Sequence, residues 1–282
     1  MGKHYVPQEY LRGFASPGER THVWMFDAQT SLWSHAAIKQ VAQEGDYYPP
    51  EVESRLAHEV ETPGHEALSV LRTGGQLSAS QREALGYYVA VMVVRGPKKR
   101  RLGRELAPRA LRSTIDELKD AVRQTQEKHD SPRVRELLAD AERLEQKFRA
   151  ALPTSVTELI QSPWPTSEVI AAVQGMIWRI VRVPNSAFLI TSDSPAFFFE
   201  EYGLGTALAE LAFPIDAKLA LLGSHQGDRG GTFYLPGKPA VVKEVNRRIA
   251  AGAERFVFAP KKERWIETLA LRRHPHLSRI GW

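Results

Sequence analysis

The most constraining feature of this 282-residue sequence is an almost unbroken apolar run at residues 87–94, Tyr-Tyr-Val-Ala-Val-Met-Val-Val. Residues 80–95 favour a helix, because Ser78 or Ser80 can cap its start and Glu83 stands in the capping-box position after Ser80. Such a helix is apolar on most sides and is therefore expected in the centre of the core. The rest of the chain has to pack around it.

The composition is typical of a globular protein, with 43% hydrophobic and 25% charged residues. No stretch of eighteen apolar residues is present and the start lacks an apolar signal-peptide core, so we expect no membrane span and a cytoplasmic location. The absence of cysteine excludes disulfides, thiolate zinc sites and a cysteine nucleophile. A net charge of +5 permits a polyanionic partner but does not demand one.

The first residues are unusually rich in aromatic and hydrogen-bonding side chains for a chain terminus, which is normally the least constrained part of a domain. Pro7 suits the first position of a short helix and Gly13 suits its end. The aromatic and leucine side chains of residues 10–14 then form an apolar face that can dock on a core. His4 and Gln8 would be held beside that docked helix, either as part of a site or as ordinary polar decoration.

Two glutamates lie on a helix predicted to start near Glu51. Its apolar side chains recur every four residues from Val52 to Val60 and form a buried stripe. Glu53 and Glu61 are eight residues apart, so they lie beside this stripe on nearly one face. The pair Pro63-Gly64 is expected to break or kink the helix.

The predicted strands are short and separated by turns. Four segments have the β-prone or apolar composition of strands, in two antiparallel pairs: 21–28 with 32–36, and 212–216 with 219–223. A further buried strand at 188–191 runs into Ser192-Asp193-Ser194-Pro195. Polar residues at the end of a buried strand commonly present a site, although a proline-closed serine or aspartate turn explains the same pattern.

Helices are predicted over 167–182 and 241–253, each with an apolar face, and Asn246 flanks the face of the second. Residues 255–258 follow as a closing strand. Between the central helix and these elements, residues 105–151 are highly charged and helix-prone, with a break at Ser131-Pro132. We interpret them as a helical hairpin inserted into the domain, whose polar surface is either a partner site or a plain solvated face.

The strongest basic cluster follows the central helix, and we expect it to contact a nucleic-acid backbone if the protein binds one: Lys98, Lys99, Arg100, Arg101 and Arg104. With no internal repeat or low-complexity linker, residues 1–282 are predicted to form one domain. The fold class is α+β: a mainly helical single domain with a small mixed or antiparallel sheet and a projecting helical hairpin.

The standard phosphate-loop, zinc-protease, hydrolase and dinucleotide motifs are all missing. The opening His4-Tyr5-Val6-Pro7-Gln8 resembles an uncharacterised bacterial family, a domain of unknown function marked by an HYVPQ motif. The resemblance continues in order through the two glutamates, Arg95 and the 191–195 segment, where Ser194 stands in place of the usual asparagine. It implies a shared fold and shared site positions but no established reaction.

From these residues we predict one pocket that contains catalytic, substrate-binding and metal-ligating side chains. The catalytic candidates are His4, Glu53, Glu61 and Asp193. The substrate-binding candidates are Gln8, Arg95, Ser192 and Asn246. Carboxylates with a histidine suit a hard divalent metal or acid–base chemistry, so Glu61 and Asp193 are the metal-ligand candidates, with Mg²⁺ or Mn²⁺ as the cation.

Three functions follow from this set. The first is an enzyme acting on nucleic acid, specifically a metal-dependent nuclease, in which Arg95 would bind phosphate with its planar fork. The second is a tRNA-dependent aminoacyl transferase or cyclodipeptide-forming enzyme, in which Glu53 and Glu61 would bind the aminoacyl group and Ser192 could be a nucleophile with His4 as its base. The third is a non-enzymatic nucleic-acid or protein binding module, in which the polar set is a structural network.

Overall fold

The computed structural model describes residues 3–45, 49–128, 131–140, 142–143, 145–147, 162–227, 233–272 and 276–280. The chain divides into two compact units. The first unit comprises residues 1–98 and 163–282, and the second comprises residues 99–162. The α+β class predicted from the sequence is confirmed, with helices and two main sheets among the described residues.

The α-helices of the described residues for which bounds can be given are α1 Gln8–Leu11, α2 Pro50–Arg55, α3 Thr62–Arg72, α4 Ala79–Val94, α5 Pro97–Lys128, α6 Ser167–Gly175, α7 Pro239–Gly252 and α8 Arg264–Ala270. The strands are β1 Lys3–His4, β2 His22–Asp27, β3 Leu32–Ala37, β4 Gln43–Glu44, β5 Ile177–Arg182, β6 Thr191–Ser192, β7 Phe197–Phe198, β8 Glu210–Asp216, β9 Leu219–Ser224, β10 Phe233–Pro236 and β11 Phe256–Ala259. Short 3₁₀ turns occupy Arg12–Phe14 and Ile38–Gln40.

Helix α4 lies in the core, as its apolar run predicts, and the side chains of residues 88–92 are almost completely buried. Its capping box uses Ser78 and Gln81 rather than the predicted alternative of Ser80 and Glu83. The backbone N–H of Gln81 donates to Ser78 Oγ at 3.2 Å, and the Ser78 N–H donates to Gln81 Oε1 at 3.0 Å. Two amide groups at the start of the helix are thereby satisfied reciprocally.

The larger sheet has the order β10-β5-β9-β8-β7. Strand β10 is parallel to β5 and the other neighbours are antiparallel, so the sheet is mixed. The predicted strand pair 212–216 and 219–223 is confirmed as β8 and β9. Both strands are buried along almost their whole length, which places this sheet in the middle of the first unit.

The prediction of one helix over 167–182 is wrong in its second half. The helix ends at Gly175, and Ile177–Arg182 is strand β5 of the larger sheet. A nearly continuous run of apolar residues satisfies helical and extended periodicities alike, so the spacing could not separate the two. The strand pairs on both sides, with β9 and β10, and this pairing decides its conformation.

The smaller sheet is antiparallel in the order β3-β2-β11-β6. The predicted hairpin is confirmed as β2 and β3, and the predicted closing strand is confirmed as β11. A two-stranded pair, β1 with β4, ties His4 to Gln43 near the chain start. The first described residues therefore form a strand, and Pro7 is the residue before α1, not the first helical residue that the sequence predicted.

Helix α2 continues without a break into a π-helical segment, Leu56–Glu61, and then into α3. Pro63 has no N–H to donate to the carbonyl of Glu59, so the regular i→i+4 bonding cannot pass through this turn. The wider turn is closed by the backbone N–H of Thr62, which donates to the carbonyl of Ala57, and the Thr62 hydroxyl donates to the same carbonyl at 2.9 Å. The proline thus widens the helix here instead of ending it.

In the second unit, helix α5 extends to Lys128 and residues 132–140 are again helical. Lys119 Nζ and Glu145 Oε2 form an ion pair at 2.5 Å between α5 and the later part of the unit. The hairpin bounds 105–151 remain a prediction, since several of those residues lie outside the described ranges. None of the described helices combines the length and apolar character needed to cross a bilayer.

Candidate functional site

A polar cavity of about 330 Å³ lies in the first unit between α1 and the α2–α3 helix. We call it the polar cavity. The start of α1 provides one wall and the π-helical segment provides the opposite one. Its lining residues are His4, Pro7, Gln8, Glu9, Arg12, Glu53, Ala57, Glu61, Thr62 and His65. The structure therefore brings together four of the sequence candidates: His4, Gln8, Glu53 and Glu61.

The imidazole of His4 is half-buried, and a hydrogen bond with the backbone of Lys39 holds it. Its Nε2 atom is covered from solvent and has no hydrogen-bond partner among the described groups. Burial lowers the pKa of His4, which outweighs the raising effects of Lys39 and Glu61. The ring is consequently neutral at pH 7 and able to accept a proton.

Arg95 lies behind the polar cavity rather than in its lining. Its guanidinium donates to Glu61 Oε1 at 2.5 Å and to the backbone carbonyl of His4. The side chain is 1% exposed, so these groups hold a buried cation. Arg95 thereby ties the end of α4 to the π-helical segment and to the first strand, and it positions two of the candidate groups.

The polar cavity is acidic. Glu9, Glu53 and Glu61 line it, whereas Arg12 is the only lysine or arginine among the lining residues that the structure describes. Arg12 forms an ion pair with Glu9 at the rim, and Arg95 neutralises Glu61 from behind. Glu53 adds a further carboxylate to the lining, and burial lowers the pKa of both His4 and His65, so that their rings are neutral at pH 7.

Sequence reasoning did not single out four of the lining residues: Glu9, Arg12, Thr62 and His65. The spacing of two of them from a glutamate could have indicated their place in the cavity. His65 lies four residues after Glu61, and that spacing puts both side chains on one helix face. Its Nε2 is 3.2 Å from the Tyr88 hydroxyl, and burial lowers the pKa of His65. Arg12 lies three residues after Glu9 on the N-terminal helical turn.

Asp193 is not among the residues that line the polar cavity. Its carboxylate accepts three backbone N–H groups, from Glu254 at 2.8 Å, Arg255 at 2.7 Å and Phe256 at 2.9 Å. Burial raises the pKa of Asp193 to about 6, against the lowering effect of those donors. The side chain thus holds the start of strand β11, and its oxygens are already occupied.

The side chains of Ser192 and Asn246 also form hydrogen bonds with backbone groups. Ser192 Oγ donates to the carbonyl of Ser194 at 2.9 Å, which is a serine turn of the kind the sequence offered as an alternative. The structure therefore does not pair Ser192 with His4 as nucleophile and base. Asn246 donates to the Phe188 carbonyl and accepts from the Ile190 N–H, each at 3.0 Å, so it fixes the segment before β6.

The basic cluster divides between the two units: Lys98 belongs to the first, and Lys99, Arg100, Arg101 and Arg104 belong to the second. Lys98 pairs with Glu200 at 3.0 Å and Arg101 pairs with Glu105 at 3.1 Å. Arg100 is buried and Lys99 is exposed. The side chain of Arg104 lies outside the described part of the structure.

Within the described ranges, no three histidine, aspartate or glutamate side chains converge closely enough to hold a metal ion. Glu61 is bonded to Arg95, and the carboxylate of Asp193 accepts backbone amides. The proposed ligand pair of Glu61 and Asp193 therefore has no third described ligand to complete it.

The fold and cavity define an α+β protein with an acidic, histidine-containing site on its first helices. The chain belongs to the family described as protein of unknown function, DUF4238, whose model matches residues 3–263. The match covers both walls of the polar cavity. No curated protein and no solved structure matches the chain.

Proposed function

We propose that the protein is an enzyme that binds a small substrate with a positively charged amine in the polar cavity and uses His4 for proton transfer. The observation that carries the proposal is the pairing of an acidic lining with a desolvated, neutral imidazole in one cavity. The carboxylate of Glu53 attracts an ammonium group, and a neutral histidine takes up one of its protons.

This chemistry agrees with the aminoacyl-transfer hypothesis without a serine nucleophile. Once His4 removes a proton, the freed amine can attack the ester carbonyl of a second aminoacyl group. A C–N bond forms and the ester C–O bond breaks. The proton that His4 holds goes to the leaving oxygen, and the second proton that the attacking nitrogen loses is released to solvent. That the segment His4–Gln8 marks the whole family stays a prediction of the sequence.

Binding can be tested with amino-acid amides, which carry the α-ammonium group but no carboxylate. We expect phenylalaninamide to bind at least tenfold more tightly than 3-phenylpropanamide, which lacks only the amine, when both are measured by calorimetry. Glu53→Gln should weaken phenylalaninamide binding by at least tenfold. Glu51→Gln removes an exposed charge from the same helix outside the cavity, and it should change nothing.

Turnover separates an enzyme from a binding module. Incubation with amino-acid ethyl esters should release ethanol and form dipeptide products, and His4→Ala should abolish this reaction while phenylalaninamide still binds. Equal binding of the two amides would refute the cationic site. Binding without any turnover would favour the non-enzymatic module.

The metal-dependent nuclease is the second candidate, and the exposed Lys99 with neighbouring basic residues is the observation that favours it. It has less support, because Lys98 and Arg101 are already paired with glutamates. Hydrolysis of single-stranded RNA or DNA that requires Mg²⁺ or Mn²⁺ and is lost in Glu61→Ala would establish it. Cleavage that is absent at every metal concentration would exclude it.

A further inference from the structure

A second cavity of about 640 Å³ lies in the first unit, away from the polar cavity, and shares no lining residue with it. We call it the apolar cavity. Its walls are the loop 184–188, helix α7 and helix α8 with the residues that follow it. The volume falls within the range of about 300–1,000 Å³ that small-molecule sites occupy.

The body of the apolar cavity is hydrophobic and aromatic. Phe188 and Trp265 both line it and are in ring contact with each other, with centroids 5.4 Å apart. Val242 and Leu269 add aliphatic surface from the two helices. A ligand with an apolar ring or chain would be stabilised here by the apolar surface that it removes from water.

The walls are held in place independently of any ligand. Lys218 Nζ donates to three carbonyls of the loop, those of Pro184, Asn185 and Ala187. Asn246 fixes the loop's end through its two bonds to the 188–190 backbone. A loop anchored in this way is preorganised, so no free energy of binding is spent on ordering it.

The charged groups around the apolar cavity are mainly cationic: Lys243, Arg247 and Arg272 against a single carboxylate, Glu263. Arg247 is the most significant of them, because its Nε is buried and has no hydrogen-bond partner among the described groups. The ion pair of Arg247 with Glu244 joins Nη1, not Nε, to Oε2, and at 3.6 Å it is longer than a hydrogen bond. Glu244 already accepts from Ser278 at 2.8 Å.

We propose that the apolar cavity binds an amphiphilic carboxylate, a small molecule with an aromatic or aliphatic body and one anionic end. The body lies against Phe188, Trp265 and Leu269. The carboxylate is bound by Arg247, whose buried donor it satisfies, and by Lys243 one helical turn before it. A planar guanidinium is well suited to this role because it donates to both oxygens of a carboxylate.

The probe is naphthalene-2-carboxylate, measured by calorimetry with the full chain. Two analogues keep the ring and change the charged end: 2-naphthylmethanol is neutral and 2-naphthylmethylammonium is cationic. We expect the carboxylate to bind with a dissociation constant below 1 mM and at least tenfold more tightly than either analogue. Equal affinity for all three would overturn the anionic specificity, and no binding of the carboxylate would overturn the site.

Three variants assign the binding to this cavity. Arg247→Gln and Lys243→Gln should each weaken naphthalene-2-carboxylate at least fivefold, and Lys243 is exposed, so its substitution does not threaten the fold. Lys261→Gln removes an equal charge from an exposed position that does not line the cavity, and it should leave affinity within twofold. Equal losses in Lys261→Gln and Lys243→Gln would show a general charge effect and refute the assignment.

Discussion

Asp193 allows the reasoning from burial to be tested by a pH titration of stability. The carboxyl is about 1% exposed, and burial raises its pKa from 3.8 to about 6. The folded protein therefore keeps this proton to a higher pH than the unfolded chain does. Between about pH 4 and pH 6 the folded state binds more protons, so its free energy of unfolding falls as the pH rises.

The size of the effect follows from the same two values. The difference between pKa 3.8 and about 6 corresponds to about 3 kcal/mol of unfolding free energy. This stability is fully present below pH 3.8 and is lost as the pH passes the folded pKa. For a protein of this kind it is a substantial part of a total that is typically about 5–15 kcal/mol.

Urea unfolding of the wild type and Asp193→Asn at half-unit steps from pH 4 to pH 7 measures the effect. The asparagine does not titrate, so the difference in unfolding free energy between the two proteins isolates the contribution of Asp193. We expect this difference, wild type minus variant, to fall by about 2.5 kcal/mol between pH 4 and pH 7, since a small part of the total is already lost at pH 4. The exposed Gln124 provides the control, since its side chain does not titrate and Gln124→Ala should give a difference that does not vary with pH.

The three backbone N–H groups that bond to Asp193 lower its pKa and so oppose the effect of burial. If they outweigh burial, Asp193 stays ionised in the folded state, and the difference between wild type and variant stays flat or rises with pH. Either result would refute the reasoning. It would also show that the turn at residues 254–256 binds the carboxylate more strongly than its burial disfavours the charge.

Two further predictions concern the core. Glu210→Gln removes the closer of the two carboxylates paired with the fully buried Arg248, at 2.6 Å, and leaves Glu244 at 3.4 Å, so it should cost about 1.5–3 kcal/mol in urea unfolding. Adding Arg248→Met to the same chain should restore part of this loss, and a loss under about 1 kcal/mol would contradict the prediction. Gly64→Ala places a Cβ 2.6 Å from the ring of Tyr88 and should cost about 1–3 kcal/mol. The matched control is Gly205→Ala, where a Cβ meets nothing within 4 Å, and equal losses in the two variants would show that the clash is not the cause.

The elements that the sequence predicted well are those with a strong local pattern. The buried helix α4, the β2–β3 hairpin and the β8–β9 pair each combine a clear periodicity with turn or capping residues. Strand β5 was mistaken for helix because its nearly continuous apolar run satisfies both periods. Its conformation depends on hydrogen bonds to β9 and β10, which lie more than 35 residues further along the chain.

The residues of the candidate site also differ in how well the sequence predicted their positions. Helical spacing placed Glu53 and Glu61 on one face. The many aromatic and hydrogen-bonding side chains among the first residues indicated that His4 and Gln8 are held by the fold. The structure brings these four together. In the structure the Asp193 carboxylate accepts the backbone N–H groups of residues 254–256. Its position at the end of a buried strand had indicated a catalytic aspartate.

The sequence by itself determined the α+β class, the central position of α4 and the docking of the chain's first helix, because these depend on local periodicity, turn residues and the burial of apolar side chains. Only the tertiary structure decided which polar residues surround a cavity and which ones satisfy buried backbone groups. The physical reason is that a carboxylate or amide is equally able to bind a ligand or a peptide N–H. Its role is decided by whichever partner the rest of the chain brings within about 3 Å.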